Sequence, residues 1–341
     1  MKNIVTIGGG TGSFTLLSGL KKYPVNISAI VSMADDGGST GRLRDELGVL
    51  PPGDIRQCLV ALSNSSDTLR ELMNYRFEGG SLKGHNFGNL LLSALEKIKG
   101  GFSLGIKEAT NILGVKGRVI PVSEDKMNLY IKLNNSKTVV GERQLDHNKD
   151  VRKYGIKKVY LKPTVRANEE VIEAIKKADV IVIGPGDHYG SIIPNLLVNG
   201  IGEAIKKSKA KVIYNCNLTN KKGQTDGFDV DKYSQEIDKY LGGNRIDFVI
   251  FPSNSPAKIL REKYEKREGK NSIVKLGDNG AAVRSYKIVK ANILSETLIK
   301  KSKEDKIADM RSFIRHDSDK LANVILAISE IGNENLIKEI I

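Results

Sequence analysis

The sequence predicts an α/β protein with a Rossmann-like, doubly wound and mostly parallel sheet that carries helical and β-hairpin insertions. Three observations support this prediction. The N-terminus reads as a strand, a glycine loop and a helix; short apolar runs alternate with amphipathic helical segments; and several predicted strands end in glycine-rich loops. A chain of 341 residues can bury one large core, so we expect a single domain over residues 1–341.

The first third follows a strand–helix–strand order and then becomes irregular. Its predicted elements are strands at 4–7 and 27–32 and helices near 13–21, 54–63, 68–75, 86–98 and 102–113. Asp54 reads as the N-cap of its helix. Residues 33–54 read as one long loop dense in Gly, Asp and Pro, a type of segment that is usually functional.

The middle of the chain changes period and then returns to the α/β pattern. Short alternating strands around a turn at 134–136 predict a β-hairpin excursion near 118–146, to which we assign no role. The α/β pattern resumes near Val159, and a smaller C-terminal segment near 285–341 mixes short strands with a helix. The elements predicted there are strands at 159–163, 180–184, 211–219 and 246–254 and helices at 168–178, 230–243 and 318–329.

Composition narrows the class of protein. The net charge is +14, but the lysines are spread along most of the chain, and no basic stripe interleaved with aromatic residues indicates nucleic-acid binding. We find no apolar run long enough for a membrane span and no signal peptide. The two cysteines, Cys58 and Cys216, lie far apart in apolar segments and read as reduced core thiols. We therefore expect a cytoplasmic protein.

The first candidate site is the glycine loop after the first strand. Gly8 and Gly10 match the dinucleotide fingerprint G-x-G-x-x-G, but Ser13 stands where the third glycine belongs. The loop still offers bare backbone N–H groups and hydroxyls that can hold a phosphate. Its candidate ligand-binding residues are Gly8, Gly9, Gly10, Thr11, Gly12 and Ser13.

The second candidate is the acidic, glycine-rich loop after the second strand. Asp35 or Asp36 follows the glycines by about 20 residues, the spacing at which dinucleotide folds hold a ribose hydroxyl. The same two carboxylates can instead hold Mg²⁺ beside a diphosphate, and the sequence leaves both alternatives open. The candidate residues of this loop are Asp35, Asp36, Gly37, Gly38, Ser39 and Arg42.

Further candidates stand at predicted helix starts and strand ends. A helix start exposes free N–H groups, and the carboxyl edge of an open α/β sheet is where ligands bind. These candidates are Asp54, Arg56, His85, Asn86, Asn89, Gly184, Gly186, Tyr189, Ser191, Asn217, Asp226 and Arg315. Several such loops at one predicted edge favour an extended ligand with phosphates, such as a nucleotide-sugar. The sequence has no Walker loop, zinc-ligand spacing or nucleophile elbow, and we assign no catalytic residue.

Seven strings carry a resemblance to a known family: GGGTG, DDGGSTGRLR, PPGDIRQCLVALS, GHNFGNL, GPG..YGSIIPNLL, NCNLTNKKGQTDGF and RHD. From residue 4 to about residue 327 the chain resembles the gluconeogenesis factor family (YvcK-like). That family belongs to the CofD-like superfamily, together with the 2-phospho-L-lactate transferases of deazaflavin coenzyme synthesis.

The resemblance implies a CofD-like α/β fold and a cytoplasmic protein that binds UDP-sugars such as UDP-N-acetylglucosamine. It further implies a regulatory role in gluconeogenic growth, cell-wall integrity and cell shape. The Gly8–Ser13 loop and the two aspartates would lie in the nucleotide site, with Asn217 beside it, and Arg315 would help to hold the sugar nucleotide. Ser318 would correspond to a residue that a kinase phosphorylates. Two features depart from the family pattern: GPGDHYGS replaces GPGSLYTS, so that Asp187 brings negative charge, and residues 298–309 resemble an insertion.

Three functions remain open on the sequence alone. The first is a UDP-sugar-binding regulator without robust turnover, which fits the absence of a recognisable nucleophile–base pair. The second is a transferase that moves a 2-phospholactyl-type group from a nucleotide diphosphate to an acceptor alcohol, with Mg²⁺ neutralising the phosphate charge. The third is a nicotinamide-dinucleotide protein, which Ser13 at the third glycine position disfavours. Whether the chain forms a homo-oligomer also stays open.

Overall fold

The computed structural model describes residues 1–277, 284–296 and 313–330. The predicted insertion at 298–309 lies outside these residues. The strands are β1 Asn3–Gly8, β2 Asn26–Val31, β3 Arg118–Pro121, β4 Asn128–Leu133, β5 Thr138–Val140, β6 Ile156–Lys162, β7 Val180–Ile183, β8 Lys211–Asn215, β9 Phe248–Pro252 and β10 Lys287–Ala291.

Helices fill the connections between these strands. They are α1 Gly10–Leu20, α2 Gly38–Leu47, α3 Gly53–Leu62, α4 Asp67–Asn74, α5 Phe87–Lys99, α6 Phe102–Leu113, α7 Glu142–His147, α8 Lys149–Tyr154, α9 Glu169–Lys177, α10 Ile193–Leu196, α11 Ile201–Lys207, α12 Val230–Leu241, α13 Lys258–Glu268 and α14 Ser318–Glu330. A single π-helical turn, His188–Ile192, leads directly into α10. Among the described residues, no helix is both long and apolar enough to cross a membrane.

A seven-stranded parallel sheet forms the centre of the fold. Its order is β10-β9-β8-β7-β1-β2-β3, so the chain builds outward from β1 in one direction and then returns to build outward in the other. The predicted doubly wound α/β class is therefore confirmed. The strand order reverses between β1 and β7, and ligands of such sheets bind outside the carboxyl ends of the strands at this switch point. Both strands are almost fully buried, as expected for parallel strands covered on both faces.

A separate three-stranded antiparallel sheet, in the order β5-β4-β6, carries the predicted hairpin. Two strand assignments were wrong here. β3 pairs in parallel with β2 and belongs to the main sheet, whereas β6, which we placed in the α/β pattern, pairs with β4. β6 buries Val159 and Leu161, while the residues between and beside them are half-buried or exposed, which is typical of an antiparallel strand with one solvated face. The last part of the predicted excursion is helical rather than extended, because β5 ends at Val140 and α7 begins at Glu142.

The acidic loop after β2 is shorter than predicted, because α2 occupies residues 38–47. Glycine density suggested a loop, but Gly41 serves close packing: a Cβ there would overlap the backbone carbonyl of Asp36. α1 likewise begins at Gly10, inside the glycine loop. Asp54 was wrongly predicted as an N-cap. Pro52 holds that position, and Asp54 lies in the first turn of α3.

Candidate functional site

A pocket of about 320 Å³ lies at the carboxyl ends of β1, β7 and β8, beside the switch point. The loops that follow these three strands line it, together with residues 314–316, which precede α14. The predicted site residues on its wall are Gly9, Gly10, Thr11, Gly12, Asp54, Gly186, Ser191, Asn217 and Arg315. A larger cavity of about 600 Å³ opens at the opposite edge of the sheet, near Asn3 and Arg118, but no glycine loop reaches it.

The first glycine loop presents the start of α1 to this pocket. Gly9 is the N-cap residue and contributes no side-chain cap, so the first turn keeps N–H groups without an intrahelical partner. Gly10 has φ +60°, which favours glycine. A Cβ on Gly12 would lie 2.6 Å from the carbonyl carbon of Pro185 and 2.9 Å from the Cα of Gly186. The two glycine loops are therefore in backbone contact. The N–H of Gly10 already meets the Asp54 carboxyl group, and the remaining N–H groups of the first turn of α1 suit an anion.

Asp187 does not add an uncompensated charge to the second glycine loop. Its Oδ1 accepts a hydrogen bond from the N–H of Gly190 at 2.8 Å, and its Oδ2 pairs with the ammonium of Lys221. Lys221 Nζ also lies 2.8 Å from Oδ1 of Asp146. Burial alone would raise the pKa of Asp187, but Lys221 and the Gly190 N–H hold that pKa below its usual range. The negative charge that Asp187 brings relative to the family pattern is thus neutralised by Lys221 within the protein.

Asn217 connects the second and third loops of the pocket. Its amide nitrogen donates to the carbonyl oxygen of Gly186 at 2.8 Å, and its Oδ1 accepts a hydrogen bond from the Tyr214 hydroxyl at 2.9 Å. Both polar ends of the side chain are therefore used inside the protein. In this arrangement Asn217 positions the glycine loop.

Three carboxyl groups converge beside the first glycine loop: Asp54, which is buried, and Asp35 and Glu142, which are half-buried. Burial, followed by the nearby charge of Asp35, raises the pKa of Asp54 to about 8. Burial together with the charges of Asp35 and Asp54 also raises the pKa of Glu142 well above its usual value. A Cβ on Gly9 would overlap Asp54, so only glycine fits against this carboxyl group. Among the described residues, no three His, Cys, Asp or Glu side chains are arranged to hold a metal ion.

Asp35 and Asp36 point to different parts of the backbone. Asp35 Oδ1 accepts from the N–H of Gly37 at 2.8 Å, whereas Asp36 Oδ1 accepts from the N–H of Arg143 at 2.8 Å. Asp36 thereby ties the start of α7 to the acidic loop. Asp35, whose charge acts on the Asp54 carboxyl group, is the member of the pair that belongs to the carboxyl cluster.

The other predicted residues lie behind or beside this pocket rather than on its wall. They are Gly8, Ser13, Asp35, Asp36, Gly37, Gly38, Ser39, Arg42, Arg56, His85, Asn86, Asn89, Gly184, Tyr189 and Asp226. Several are held by contacts within the protein. Arg56 is buried and donates to Asn89 Oδ1 at 3.0 Å and to Asn74 Oδ1 at 2.6 Å. Ser39 Oγ accepts from the N–H of Asn86 at 3.2 Å.

Sequence reasoning missed part of the pocket wall. The missed polar residues are Thr15, Glu142, Asp146, Asp187, His188, Thr219, Lys221, Gln224, Thr225, Tyr233 and His316. Two of the strings that carry the family resemblance contain several of these residues, including Lys221 and Gln224 in NCNLTNKKGQTDGF and His316 in RHD. The predicted site residues in the same strings could therefore have indicated them. Glu142 and Asp146 carry no such signal, because α7 reaches the pocket only through the tertiary fold. The excursion, to which we assigned no role, therefore contributes two carboxylates.

The fold and the pocket define a doubly wound α/β protein with two glycine loops meeting at the switch point of its sheet. The family model for 2-phospho-L-lactate transferase CofD matches residues 4–294. The chain belongs to the CofD family. Within it, the chain is 45% identical over 275 residues to a protein of Halalkalibacterium halodurans named gluconeogenesis factor, covering 80% of this chain and 84% of that protein. The predicted family is confirmed.

Two further relatives cover nearly the whole chain. A protein of Thermotoga maritima is 44% identical over 328 residues, which is 96% of this chain and 99% of its own length. A crystal structure of a UPF0052 family member from Bacillus halodurans superposes with a TM-score of 0.84 at 39% identity, covering 96% of this chain and 100% of that one. The CofD-like fold therefore extends through almost all of the sequence.

Proposed function

We propose that this protein is a cytoplasmic regulator that binds a UDP-sugar such as UDP-N-acetylglucosamine, and that through this ligand it supports gluconeogenic growth, cell-wall integrity and cell shape. The contact of two glycine loops beside the first turn of α1 carries the proposal. Such a helix start favours a phosphate, and a pocket of about 320 Å³ lies in the size range of small-molecule sites.

The charges on the pocket wall bear on how a diphosphate ligand binds there. Four acidic side chains line the pocket, Asp54, Glu142, Asp146 and Asp187, and the pKa values of Asp54 and Glu142 are raised; two cationic side chains, Lys221 and Arg315, face them. A diphosphate would bring further negative charge into this partly buried space, where charges interact strongly. We therefore propose that the ligand binds together with Mg²⁺. Asp54, which lines the pocket, would face the cation, and Asp35 would lie behind it.

Isothermal titration calorimetry tests this proposal. We expect UDP-N-acetylglucosamine to bind the full chain more tightly with Mg²⁺ than with a chelator, and Arg315→Ala to weaken binding at least tenfold. Arg118→Ala is the matched control, because Arg118 lines the cavity at the opposite edge of the sheet. No binding by the unmodified protein, or equal effects of the two substitutions, would contradict the proposal.

A transferase is the second candidate, favoured by the match to the 2-phospho-L-lactate transferase family. In that reaction the acceptor alcohol would attack a 2-phospholactyl-type group on a nucleotide diphosphate, and nucleoside monophosphate would leave. A coupled assay for nucleoside monophosphate, with a deazaflavin alcohol and Mg²⁺, tests it. Release of nucleoside monophosphate that depends on the acceptor and is lost in Asp54→Asn would support the transferase function. Ligand binding without release of nucleoside monophosphate would support the regulatory function instead.

Regulation at Ser318 is part of the same proposal. Ser318 opens α14, and Asp317 caps that helix by accepting from the N–H groups of Asp319 and Lys320 at 3.0 and 2.9 Å. A phosphate there would stand two residues from His316 on the pocket wall and add negative charge. We expect Ser318→Asp to weaken UDP-sugar binding relative to Ser318→Ala; equal affinities would count against this regulation.

Size-exclusion chromatography with light scattering would establish the oligomeric state.

A further inference from the structure

Buried polar atoms that lack a hydrogen-bond partner are concentrated around the pocket. Among the described residues, such side-chain atoms occur in His188, Asn195, Asn215, Ser272 and His316. His188 and His316 line the pocket, and Asn195 donates to the carbonyl oxygen of Gly8 under the glycine loop. A buried polar atom without a partner costs free energy, so a cluster of them at one pocket indicates groups that a ligand satisfies.

His316 is the clearest case because one of its two nitrogens is already fixed. The residue is 8% exposed, and its Nε2 has no partner. A hydrogen bond to the backbone of Cys216 raises the pKa of the ring, so the ring is the donor and the carbonyl oxygen accepts. Since Nε2 is unpartnered, Nδ1 makes this bond. The proton therefore sits on Nδ1, and Nε2 carries a lone pair.

The ring stays neutral at physiological pH. Burial lowers the pKa of His316 to about 4, and the bond to Cys216 offsets only part of that effect. A neutral Nε2 in this tautomer only accepts hydrogen bonds, so it repels a phosphate oxygen and pairs with a hydroxyl or an amide N–H. His188 supports no such argument: both of its nitrogens lack partners, and the rings of Tyr189 and Tyr233 approach it edge-on at 4.7 and 5.0 Å.

We infer that Nε2 of His316 accepts a hydrogen bond from a hydroxyl or amide N–H of the bound nucleotide-sugar, and that no phosphate oxygen is held at this atom. The inference rests on the proposed UDP-sugar function and adds an orientation to it. The phosphates lie against Gly9–Gly12 at the start of α1, and an uncharged donor group of the ligand lies against His316. His316 thereby becomes a specificity-determining residue next to Arg315.

Two substitutions separate the functions of the two nitrogens. In His316→Asn the shorter amide can still donate from near Nδ1 to Cys216 but leaves nothing at Nε2. In His316→Gln the longer amide reaches toward Nε2 and can accept there. We expect His316→Asn to weaken UDP-N-acetylglucosamine binding about tenfold in calorimetry, the effect of one lost buried hydrogen bond. His316→Gln should weaken it less, and binding of pyrophosphate with Mg²⁺ should not change in either variant.

Each outcome decides the inference. A loss with UDP-N-acetylglucosamine but not with pyrophosphate supports it, and a parallel titration with UDP tells whether the donor lies on the uridine or on the sugar. Equal affinity of His316→Asn and the unmodified protein overturns the inference but leaves the proposed function intact. An equal loss with pyrophosphate also overturns it, because a lone pair does not bind phosphate. Failure of the unmodified protein to bind any of the ligands overturns both.

The tautomer gives an independent check on the folded protein. With ¹⁵N-labelled histidine, His316 should show a protonated Nδ1 and an unprotonated Nε2 without ligand, and the Nε2 resonance should move upfield when UDP-N-acetylglucosamine is added. A protonated Nε2 in the free protein would refute the inference.

Discussion

Replacing Gly12 by alanine tests whether the two glycine loops are in contact. The new Cβ would lie 2.6 Å from the Pro185 carbonyl carbon and 2.9 Å from the Gly186 Cα, whereas carbon atoms pack at about 3.5–4.0 Å. The loops must therefore part by about 1 Å. The obstacle is backbone, and Asn217 holds the Gly186 carbonyl at 2.8 Å, so the second loop does not yield easily.

The expected effect follows from two opposing terms. Within a helix, glycine to alanine would stabilise the protein by up to about 1 kcal/mol, but overpacking of this kind costs about 1–3 kcal/mol. The clash should prevail, so we expect Tm to fall by a few degrees. Parting the loops also displaces the N–H groups at the start of α1, so we expect ligand binding to weaken as well.

Thermal unfolding and calorimetry with UDP-N-acetylglucosamine measure the two effects. Gly79→Ala is the matched control, because a Cβ at Gly79 would meet nothing within 4 Å. An unchanged Tm together with an unchanged affinity for Gly12→Ala would show that the loops do not touch, and the reasoning about the pocket would fail with it.

Three further substitutions test the charged groups around the site. The pKa of Asp54 rises from 3.8 to about 8 on folding, so between these pH values the folded state holds a proton that the unfolded chain has lost. The free energy of unfolding should therefore fall from about pH 4 to about pH 8. Urea titrations of Asp54→Asn should show a weaker dependence of this free energy on pH. Lys221→Met should destabilise the protein by about 1–2 kcal/mol in the same titrations, a modest value because the side chain is 39% exposed, and adding Asp187→Asn should restore part of the loss. Arg56→Ala should cost about 2–4 kcal/mol, since it removes a buried guanidinium with several hydrogen bonds, and a Tm within about 1 °C of the unmodified protein would contradict that role.

The strands of the main sheet show why much of the fold was predictable. β1, β7 and β8 are short apolar runs bounded by glycine or polar residues, the pattern of parallel strands buried on both faces. Local composition was misleading where one residue type serves two purposes. The glycines of α2 indicated a loop, yet Gly41 is required because the helix lies against the backbone of Asp36. β6 reads as an ordinary apolar strand, and only its pairing with β4 reveals which sheet it joins.

The residues of the candidate site likewise fall into those that the sequence could predict and those that only the tertiary structure reveals. The glycine loops and Arg315 carry their own local signals, since bare backbone and a motif arginine can be read from the sequence. Glu142 and Asp146 give no local signal, because a carboxylate on a short helix is ordinary until that helix is packed against a pocket. Other predicted ligand-binding residues form hydrogen bonds among themselves, away from the pocket wall. Ser39 bonds to His85 and to the N–H of Asn86, and Arg56 donates to Asn89.

The sequence by itself determined the doubly wound α/β class, the family and the glycine loops at the carboxyl ends of β1 and β7, because hydrophobic period and glycine placement are properties of neighbouring residues. Only the tertiary structure decided which charges surround the pocket, how Lys221 neutralises Asp187 and which nitrogen of His316 lacks a partner. Those properties arise from contacts between residues far apart in the chain, such as Asp187 and Lys221, which are separated by 34 positions. No local pattern encodes the electrostatic environment that such contacts create.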